Sequence, residues 1–345
     1  MKNKFLGMQR KLAVVKYKNP TSKLNSIVIA GEYGKTTTAR LLEGIFKESG
    51  RKVCVIATTK HVTFDGFYGA LSRAKKEGYT TVIITASTEL LELGALEGVV
   101  PECAVFTTSI AQSQALLKLS PKHVVSPSGM DIPEGTVEPY QHISVGDDDM
   151  AEAKRESITL YKKGTEIQMT IDHQTKLNVA TPLVGKANAY NVATAIAAAY
   201  VFGIDAADAQ EGIAELEPTP GNFEYISSSK PYEVIVDRGV SSDSLRLSLE
   251  SAKVFAKRRL LVALDTMPSE KDMAFVRDNS DRVFVVTDDT SPFVSGVDTV
   301  NDIETAFEKV TRAAKQDDLI LFCGDKYAHV ESETSFVKHH LNQAL

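Results

Sequence analysis

The sequence has few cysteines, and their placement excludes two kinds of stabilising site. Cys54, Cys103 and Cys323 each lie inside an apolar, strand-like run, and no two of them are close in sequence. Because their number is odd and their spacing matches no zinc motif, we expect neither a disulfide framework nor a structural zinc site. All three are expected to be buried, small apolar side chains of a protein in a reducing cytoplasm.

Long apolar runs and an excess of positive charge are also missing. No stretch approaches the ~18 apolar residues that cross a bilayer, and the first residues lack the apolar core of ~7–15 residues typical of a signal peptide. Lys and Arg number 39 against 45 Asp and Glu, a formal net charge of −6. Since nucleic-acid binding needs a basic surface, we expect a cytoplasmic protein with neither a membrane nor a nucleic acid as partner.

Strands and helices alternate along two parts of the chain, which predicts an α/β protein with parallel sheets. From Ser26 to Ser126, short apolar runs alternate with helical patterns, and a period of two between residues 140 and 184 predicts a β-rich extension. An Ala-rich helix capped by Asn188 is expected to follow, ending at Val201. After the linker Glu217-Pro-Thr-Pro-Gly221, the alternation of strands and helices starts again.

These patterns predict an arm and two domains. Residues 1–23 are basic and mostly polar and are expected to form a loose N-terminal arm or a short lead-in. Residues 24–222 are predicted to form a doubly wound central domain with a phosphate-binding loop and the β-rich extension. Residues 223–345 are predicted to form a smaller, Rossmann-like C-terminal α/β domain. A chain of 345 residues has the length expected of two domains of ~150 residues each.

A phosphate-binding loop is predicted where Gly31-Glu-Tyr-Gly34-Lys35-Thr36-Thr37 joins a buried strand to a helix. The two glycines permit a tight turn in which backbone amides converge on an anion, and the helix N-terminus adds positive partial charge. Lys35 would reach the β- and γ-phosphates of a nucleotide, and the Thr36 hydroxyl would ligate Mg²⁺. A glycine turn followed by a helix-capping threonine run is the alternative. Glu32 would weaken phosphate binding unless its side chain points to solvent.

Four segments resemble, in the same order, motifs of the Mur ligase family, and most closely its UDP-N-acetylmuramyl-tripeptide synthetase branch. They are Gly31–Thr38, similar to Gly-Thr-Asn-Gly-Lys-Thr-Thr; Gly185–Ile196, similar to the helix motif Gly-x-Phe-Asn-x-x-Asn; Pro220–Glu224, similar to the hinge Pro-Gly-Arg-x-Glu; and Val236–Leu245, similar to Val-Asp-Tyr-Ala-His-x-Pro-Asp-Ser-Leu. The resemblance covers residues 19 to 330, although only the phosphate loop is specific when taken alone.

The resemblance implies a chemistry and a set of site residues. In this family the central domain binds ATP, a substrate carboxylate is phosphorylated to an acyl phosphate, and the amine of an amino acid attacks it. Carried over, Lys35 and Thr36 would hold the phosphates and Mg²⁺, Asn188 and Asn191 would lie near the adenine, and Asp237 near the ribose. An amino acid and a UDP-muramyl-peptide-like acceptor would be the other substrates. Without the resemblance, the asparagines would be a helix cap and a surface polar residue, and Asp237 a turn former.

Several family residues are replaced in this chain. The acid that helps hold Mg²⁺ at a strand end is absent from Thr85-Ala-Ser-Thr88; Glu89 or Asp65 could substitute, although a solvated position is the alternative for Glu89. The other replacements are Thr108, Gln112 and Ser113 for Asn, Asp and His, Asn222 for the hinge Arg, Arg238–Val240 for Tyr-Ala-His, Asp288–Ser291 for the amino-acid clamp, and Gly324–Ala328 for Gly-Lys-Gly-His-Glu. The family's UDP-sugar domain has no counterpart, and a protein partner could supply it.

Two functions of different classes therefore remain open. The first is an ATP-dependent acid–amino-acid ligase related to peptidoglycan peptide synthesis. The second is a non-ligating relative that binds ATP and acts as a regulatory or partner-binding module, because removal of one preorganised catalytic group costs about 10²–10³ in rate while amides and Lys35 can still bind ATP. A P-loop kinase or ATPase with another substrate is the third alternative.

Overall fold

The computed structural model describes residues 2–18, 20–58, 63–96, 99–133, 135–136, 142–239, 241–288, 296–331 and 334–343. The chain divides into two compact units. The first comprises Met1–Ile158, Ile167–Thr181 and Tyr190–Leu216, and the second Thr159–Glu166, Pro182–Ala189 and Glu217–Leu345. The domain boundaries predicted from the sequence, residues 24–222 and 223–345, stay a prediction.

Nine of the described strands form one sheet in the order β2-β3-β1-β4-β5-β6-β7-β8-β9. From β2 to β7 the strands pair in parallel. Two residues join β7 to β8, which makes these two a hairpin. The bounds are β1 Asn25–Ala30, β2 Val53–Ala57, β3 Thr81–Thr85, β4 Cys103–Phe106, β5 His123–Pro127, β6 His142–Gly146, β7 Ala153–Tyr161, β8 Gly164–Ile171 and β9 Thr175–Thr181.

Helices precede, separate and follow these strands along the chain. They are α1 Lys2–Lys16, a 3₁₀ turn Pro20–Lys23, α2 Lys35–Glu48, α3 Phe64–Lys76, α4 Thr88–Glu92, α5 Ser113–Leu117, α6 Lys186–Val201 and α7 Ala206–Ala214. The sheet is apolar on both faces, because successive side chains of a strand point to opposite sides. On β1, Val28 and Ala30 pack in one cluster with Phe67 and Leu71 of α3, while Ile27 and Ile29 are fully buried on the other face.

The prediction of a loose N-terminal arm is wrong for residues 2–16, which form helix α1. Ala13 is buried in the same core cluster as α3. The Arg10 guanidinium donates to Gly94 O at 3.1 Å, and Lys16 pairs with Asp65 at 2.6 Å. Basic residues interrupt the apolar positions of α1, so the sequence shows no clear helical period there. The helix is recognised from its packing on the core cluster that contains Ala13.

Helices α2 and α7 cross at two glycines, Gly44 and Gly212. A Cβ atom at Gly212 would lie 2.6 Å from Ile45 N, and one at Gly44 would lie 2.6 Å from Gly212 O. Both neighbours are backbone atoms of helices and cannot move aside cheaply. The crossing therefore requires glycine on both helices.

Replacing Gly212 by Ala is expected to lower the free energy of unfolding by about 1–3 kcal/mol, because the helices must separate to admit the methyl group. Urea unfolding followed by circular dichroism measures the change. Gly7→Ala on α1 is the matched control, since a Cβ there meets no atom within 4 Å; it should be neutral or stabilising by up to about 1 kcal/mol. Equal changes in the free energy of unfolding for the two variants would contradict the conclusion that the α2–α7 crossing requires glycine.

The second unit contains a six-stranded sheet in the order β10-β11-β15-β12-β13-β14. Only the β10–β11 pairing is antiparallel among the described pairs of this sheet. Its strands are β10 Glu224–Ile226, β11 Glu233–Asp237, β12 Leu260–Leu264, β13 Arg282–Val286, β14 Val297–Val300 and β15 Leu319–Cys323. The remaining elements are α8 Ser242–Phe255, α9 Glu270–Asp278, α10 Ile303–Ala313, α11 Asp325–Ala328, the short pair β16 Val330–Glu331 and β17 Thr334–Ser335, and α12 Phe336–Gln343.

Both faces of this sheet are covered, as the continuous apolar runs of its parallel strands indicate. Ile320 and Phe322 of β15 pack in one cluster with α10 and α12, whereas Leu319, Leu321 and Cys323 pack in a second cluster with α8 and α9. The α/β class, with a doubly wound sheet, a β-rich extension and a smaller Rossmann-like sheet, is thereby confirmed.

Candidate nucleotide-binding site

The predicted phosphate loop lies at the carboxyl end of a central strand. Strand β1 ends at Ala30, α2 begins at Lys35, and residues 31–34 turn between them. Parallel strands β3 and β4 flank β1 on its two sides. In doubly wound sheets this edge is where ligands bind, and the helix N-terminus directs amide groups and positive partial charge toward it.

Both predicted loop glycines are required by the packing around them. Gly34 has φ +81°, a left-handed conformation that side chains with a Cβ rarely adopt. A Cβ there would also lie 2.2 Å from Asn191 Oδ1, and one at Gly31 would lie 2.0 Å from Thr107 Oγ1. The backbone of the loop is thus held against the start of α6 and the end of β4.

Two threonines after β4 hold the loop in place. Thr107 Oγ1 donates to Tyr33 O at 2.5 Å, and Thr108 Oγ1 accepts the Glu32 N–H at 2.9 Å. In the sequence, Thr108 stood out only as a departure from the family pattern, and Thr107 was not singled out. Their role could not be found there, because more than 70 residues separate the bonded partners.

Replacing Thr108 by Val is expected to weaken ATP binding about 2- to 12-fold, the effect of losing one hydrogen bond of about 0.5–1.5 kcal/mol that fixes the loop. Calorimetric titration with ATP measures the change. Thr80→Val is the control, because its hydroxyl donates to Lys52 O at the opposite end of β3. Unchanged affinity in the Thr108 variant would show that the loop keeps its conformation without this bond.

Lys35 lies across the loop and is bonded to it. Its Nζ donates to Gly31 O at 2.5 Å and to Glu32 O at 3.3 Å. Burial lowers the pKa of the ammonium, while the negative charges of Glu32 and Glu89 oppose that change. Both partners of the Lys35 ammonium are neutral carbonyls. A phosphate group would supply an anionic partner, which binds the ammonium more strongly.

The other loop side chains differ in exposure. Thr36 is exposed, so its hydroxyl is accessible to a ligand, whereas Thr37 is buried and faces the protein. Glu32 is exposed. An acid in this loop is compatible with phosphate binding when its side chain lies in solvent. The predicted phosphate and Mg²⁺ contacts of these residues stay predictions.

The two asparagines of α6 have different surroundings. Asn191 is 5% exposed and lies against Gly34, so the structure brings it to the phosphate loop. Asn188 belongs to the second unit, and its Nδ2 donates to Val184 O at 2.8 Å. The prediction that Asn188 caps the helix is wrong, because α6 begins at Lys186; the left-handed Gly185, with φ +103°, precedes it.

Asp237 ends β11 in the second unit. Its Oδ1 accepts Phe223 N at 3.0 Å and its Oδ2 accepts the Ser248 hydroxyl. Burial raises the pKa of this carboxyl, and these hydrogen bonds limit the rise. Both carboxylate oxygens of Asp237 are thus bonded within the second unit, to Phe223 and Ser248. The ribose contact of Asp237 stays a prediction.

Few carboxylates are available for a metal near the loop. No group of three or more His, Cys, Asp or Glu side chains suited to a metal occurs in the described ranges. Asp65 is committed to the ion pair with Lys16. Mg²⁺ bound with a nucleotide needs only one or two protein oxygens besides phosphate and water, so the exposed Thr36 hydroxyl and one further oxygen suffice.

The helices of the described part of the chain give no membrane-spanning candidate; none combines the necessary length with the necessary apolar character.

Comparisons with known proteins agree with this geometry. The Mur ligase middle domain matches residues 29–112, which contain the loop, β3, α4, β4 and the two threonines. The UDP-N-acetylmuramoyl-L-alanyl-D-glutamate–2,6-diaminopimelate ligase of Geobacillus thermodenitrificans is 26% identical over 294 residues, covering 73% of this chain. The alignment spans 59% of the length of that relative.

Two solved structures share the fold. The MurF ligase of Thermotoga maritima, in complex with ADP, superposes with a TM-score of 0.75 at 16% identity, covering 99% of this chain and 85% of that one. Folylpolyglutamate synthase of Mycobacterium tuberculosis, complexed with ADP and AMPPCP, gives 0.71 at 15% identity, covering 98% and 94%. The middle-domain match, these relatives and this fold agree with the predicted resemblance of the chain to the Mur ligase family.

Proposed function

We propose that this chain binds ATP at residues 31–37 and uses it to join a carboxylic acid to an amino acid, releasing ADP. The observation that carries the proposal is the loop itself, a glycine turn at the carboxyl end of β1 with Lys35 across it and α2 behind it. The relative from Geobacillus thermodenitrificans is named as a ligase, and both structural neighbours were solved with adenine nucleotides.

The residues at the loop would bind ATP and orient its terminal phosphate. Loop amides and Lys35 would bind the phosphates and hold the terminal one toward the substrate carboxylate, which would be activated as an acyl phosphate before the amine attacks. Thr107 and Thr108 would hold the loop amides in place while negative charge shifts during phosphoryl transfer, as electrostatic preorganisation requires. Mg²⁺, held by Thr36, would neutralise phosphate charge.

The substrates belong to the proposal. The named relative acts, by its name, on UDP-N-acetylmuramoyl-L-alanyl-D-glutamate and 2,6-diaminopimelate. We propose an amino acid and a UDP-muramyl-peptide-like acceptor for this chain. Asn188 and Asn191 are proposed near the adenine and Asp237 near the ribose.

A second candidate, a non-ligating ATP-binding relative, is favoured by one specific observation. The residue after β3 is Ala86, and its backbone N–H bonds to Ile29 O without placing a carboxylate at the position where the family has one. Binding of ATP depends on the loop, whereas phosphoryl transfer depends on full charge neutralisation.

One assay separates the candidates. Coupled detection of ADP release is run with ATP, a panel of amino acids and muramyl-peptide acceptors, and Lys35→Ala is the negative control. Release that requires both an amino acid and an acceptor supports the ligase. ATP binding by calorimetry without such release supports the non-ligating candidate, and absence of ATP binding overturns both.

A further inference from the structure

Helix α1 packs on the first unit along one face and leaves apolar side chains on the other. Ala13 is 5% exposed and lies in the core cluster with α3. In contrast, Met8, Leu12 and Val15 are 55%, 62% and 76% exposed. Residues at positions i, i+4 and i+7 share one face of a helix. These three side chains therefore form an exposed apolar stripe, called here the α1 stripe.

Lysines border the α1 stripe on both sides. A helix turns by about 100° per residue, so Lys11, three positions after Met8, lies about 60° to one side of it. Lys16, four positions after Leu12, lies about 40° to the other side. Both lysine side chains are exposed. Their methylene groups can extend along an apolar surface while the ammonium groups stay at its polar boundary.

The start of the chain is also strongly basic as a whole. Residues 1–31 contain seven Lys and Arg and no Asp or Glu, a net charge of +7. Because the whole chain has a net charge of −6, the residues after 31 have −13. The overall charge thus concealed a basic segment. A helix that lies on a membrane needs no apolar run of spanning length, so the exclusion of membrane spans does not apply to this role of α1.

A groove adjoins the α1 stripe and enlarges the accessible apolar surface. It has a volume of about 420 Å³ and lies between α1, the start of α3 and the residues after α4. Leu12, Phe64 and Leu93 contribute to its lining. Asp65 is the only acid among the described residues that line it, and its carboxylate pairs with Lys16. No uncompensated negative charge therefore stands beside the stripe in this groove.

Charge and area decide which partner suits this surface. A second copy of the chain would bring two basic segments together, and their like charges oppose that contact. A stable protein interface buries about 800 Å² on each partner, more than three side chains of one helix provide. An anionic lipid surface attracts the Lys and Arg near it and accepts apolar side chains at the boundary between headgroups and acyl chains. A basic helix with an exposed apolar face is typical of such binding.

We propose that the protein binds an anionic lipid surface through α1, with the α1 stripe inserted among the headgroups and Lys11 and Lys16 against the lipid phosphates. This binding goes beyond the proposed reaction and does not depend on it. Because the stripe is small, attachment is reversible and requires both the apolar side chains and the positive charge.

The sequence contains no tryptophan, so one introduced tryptophan reports its own surroundings. Leu12→Trp is the probe of the α1 stripe. Val254→Trp is the matched control, because Val254 on α8 is 59% exposed and follows the exposed Lys253. Both variants are titrated with vesicles of phosphatidylcholine alone and of phosphatidylcholine mixed with phosphatidylglycerol.

The emission of Leu12→Trp is expected to shift to shorter wavelength with the anionic vesicles only, and brominated lipids should quench it, because the indole enters the headgroup boundary. Val254→Trp should keep the emission of a solvated indole. Anionic vesicles should bind the protein at least about tenfold more tightly than neutral ones. Salt at about 1 M should remove this difference by screening the charges.

Sedimentation with the same vesicles tests the chain without a tryptophan. Leu12→Glu should weaken binding about tenfold or more, because it places a charge in the middle of the stripe. Lys11→Gln should weaken it about fivefold. Val254→Glu adds the same charge as Leu12→Glu at the control site and should change binding less than about twofold. All three positions are exposed, so melting by circular dichroism should be unchanged.

Other outcomes overturn the inference. Undiminished binding of Leu12→Glu to anionic vesicles, or loss of binding in Val254→Glu instead, would assign attachment to another surface. Equal binding to neutral and anionic vesicles would exclude recognition by charge. A dimer in sedimentation velocity that Leu12→Glu dissociates would assign the stripe to a second copy of the chain. Absence of any emission shift or cosedimentation with anionic vesicles would exclude a lipid surface as the partner of α1.

Discussion

ATP binding is expected to weaken by about 100-fold or more when Lys35 is replaced by Ala, because each hydrogen bond from a charged group contributes about 1.5–3 kcal/mol and 1.4 kcal/mol is tenfold in affinity. In the free protein the ammonium is already at the loop, bonded to Gly31 O and Glu32 O. Little ordering of the side chain is then needed when phosphate binds. Isothermal calorimetry with ATP measures the loss.

Lys47→Ala is the control for this variant. Lys47 lies in the last turn of the same helix and pairs with Glu43 at 2.7 Å on the surface, an interaction worth only about 0.3–0.5 kcal/mol. Its ATP affinity should equal that of the unmodified chain. A folded Lys35→Ala protein that binds ATP normally would mean that residues 31–37 do not hold the phosphates.

The second large effect is expected on stability, from Asp318→Ala in the second unit. Asp318 is 0% exposed and accepts Arg259 Nε at 3.1 Å, Arg259 Nη2 at 2.5 Å and Lys315 N at 2.7 Å. Removing the carboxylate leaves the guanidinium, which also donates to Ala313 O, without its anionic partner. We expect a loss of about 2–3 kcal/mol in the free energy of unfolding, less than for a fully buried ion pair, because the Arg259 side chain is 30% exposed.

Urea unfolding followed by circular dichroism tests this expectation, with Asp298→Ala as the matched control. Asp298 pairs with Arg282 at 2.7 Å, but the Arg282 and Asp298 side chains are 45% and 38% exposed. Exposed pairs contribute about 0–1 kcal/mol, so the control should change little. A loss below about 1 kcal/mol for Asp318→Ala would mean that the pair contributes no more than a surface pair does.

The same pair gives an expected pH dependence. Burial by itself would raise the pKa of Asp318, but the hydrogen bonds and charge of Arg259 outweigh it and hold the pKa below its ordinary value. The stabilisation is therefore complete above the ordinary pKa of about 4 and is lost as the pH falls through the lower value of the folded state. Asp318→Asn should be less stable at neutral pH and lose less stability between pH 5 and 2 than the unmodified chain.

The strands of the two sheets were predictable to different degrees. Strands β3 and β11 are predictable as strands, because largely apolar runs between turn residues are typical of buried parallel strands. Strands β9, β10 and β14 lie at sheet edges and carry mixed polar and apolar residues. Local sequence does not distinguish such strands from loops, since their pairing depends on a neighbour that is distant in the chain.

The composition of the phosphate loop was evident from the sequence, but its surroundings were not. Gly31, Gly34, Lys35 and Thr36 follow from a local pattern, because a strand, a turn and a helix N-terminus are built from neighbouring residues. Asn191 was expected at a nucleotide only from the family resemblance. Its contact with Gly34 depends on the packing of α6 beside the loop.

The sequence by itself determined that this is an α/β protein with an anion-binding turn after a buried strand, since propensity and periodicity act over a few residues. The tertiary structure decided which side chains close around that turn. Placing β4 beside β1 brings Thr107 and Thr108 to the loop from a distant part of the chain. Strand order is set by the packing of the whole sheet, and no local pattern contains it.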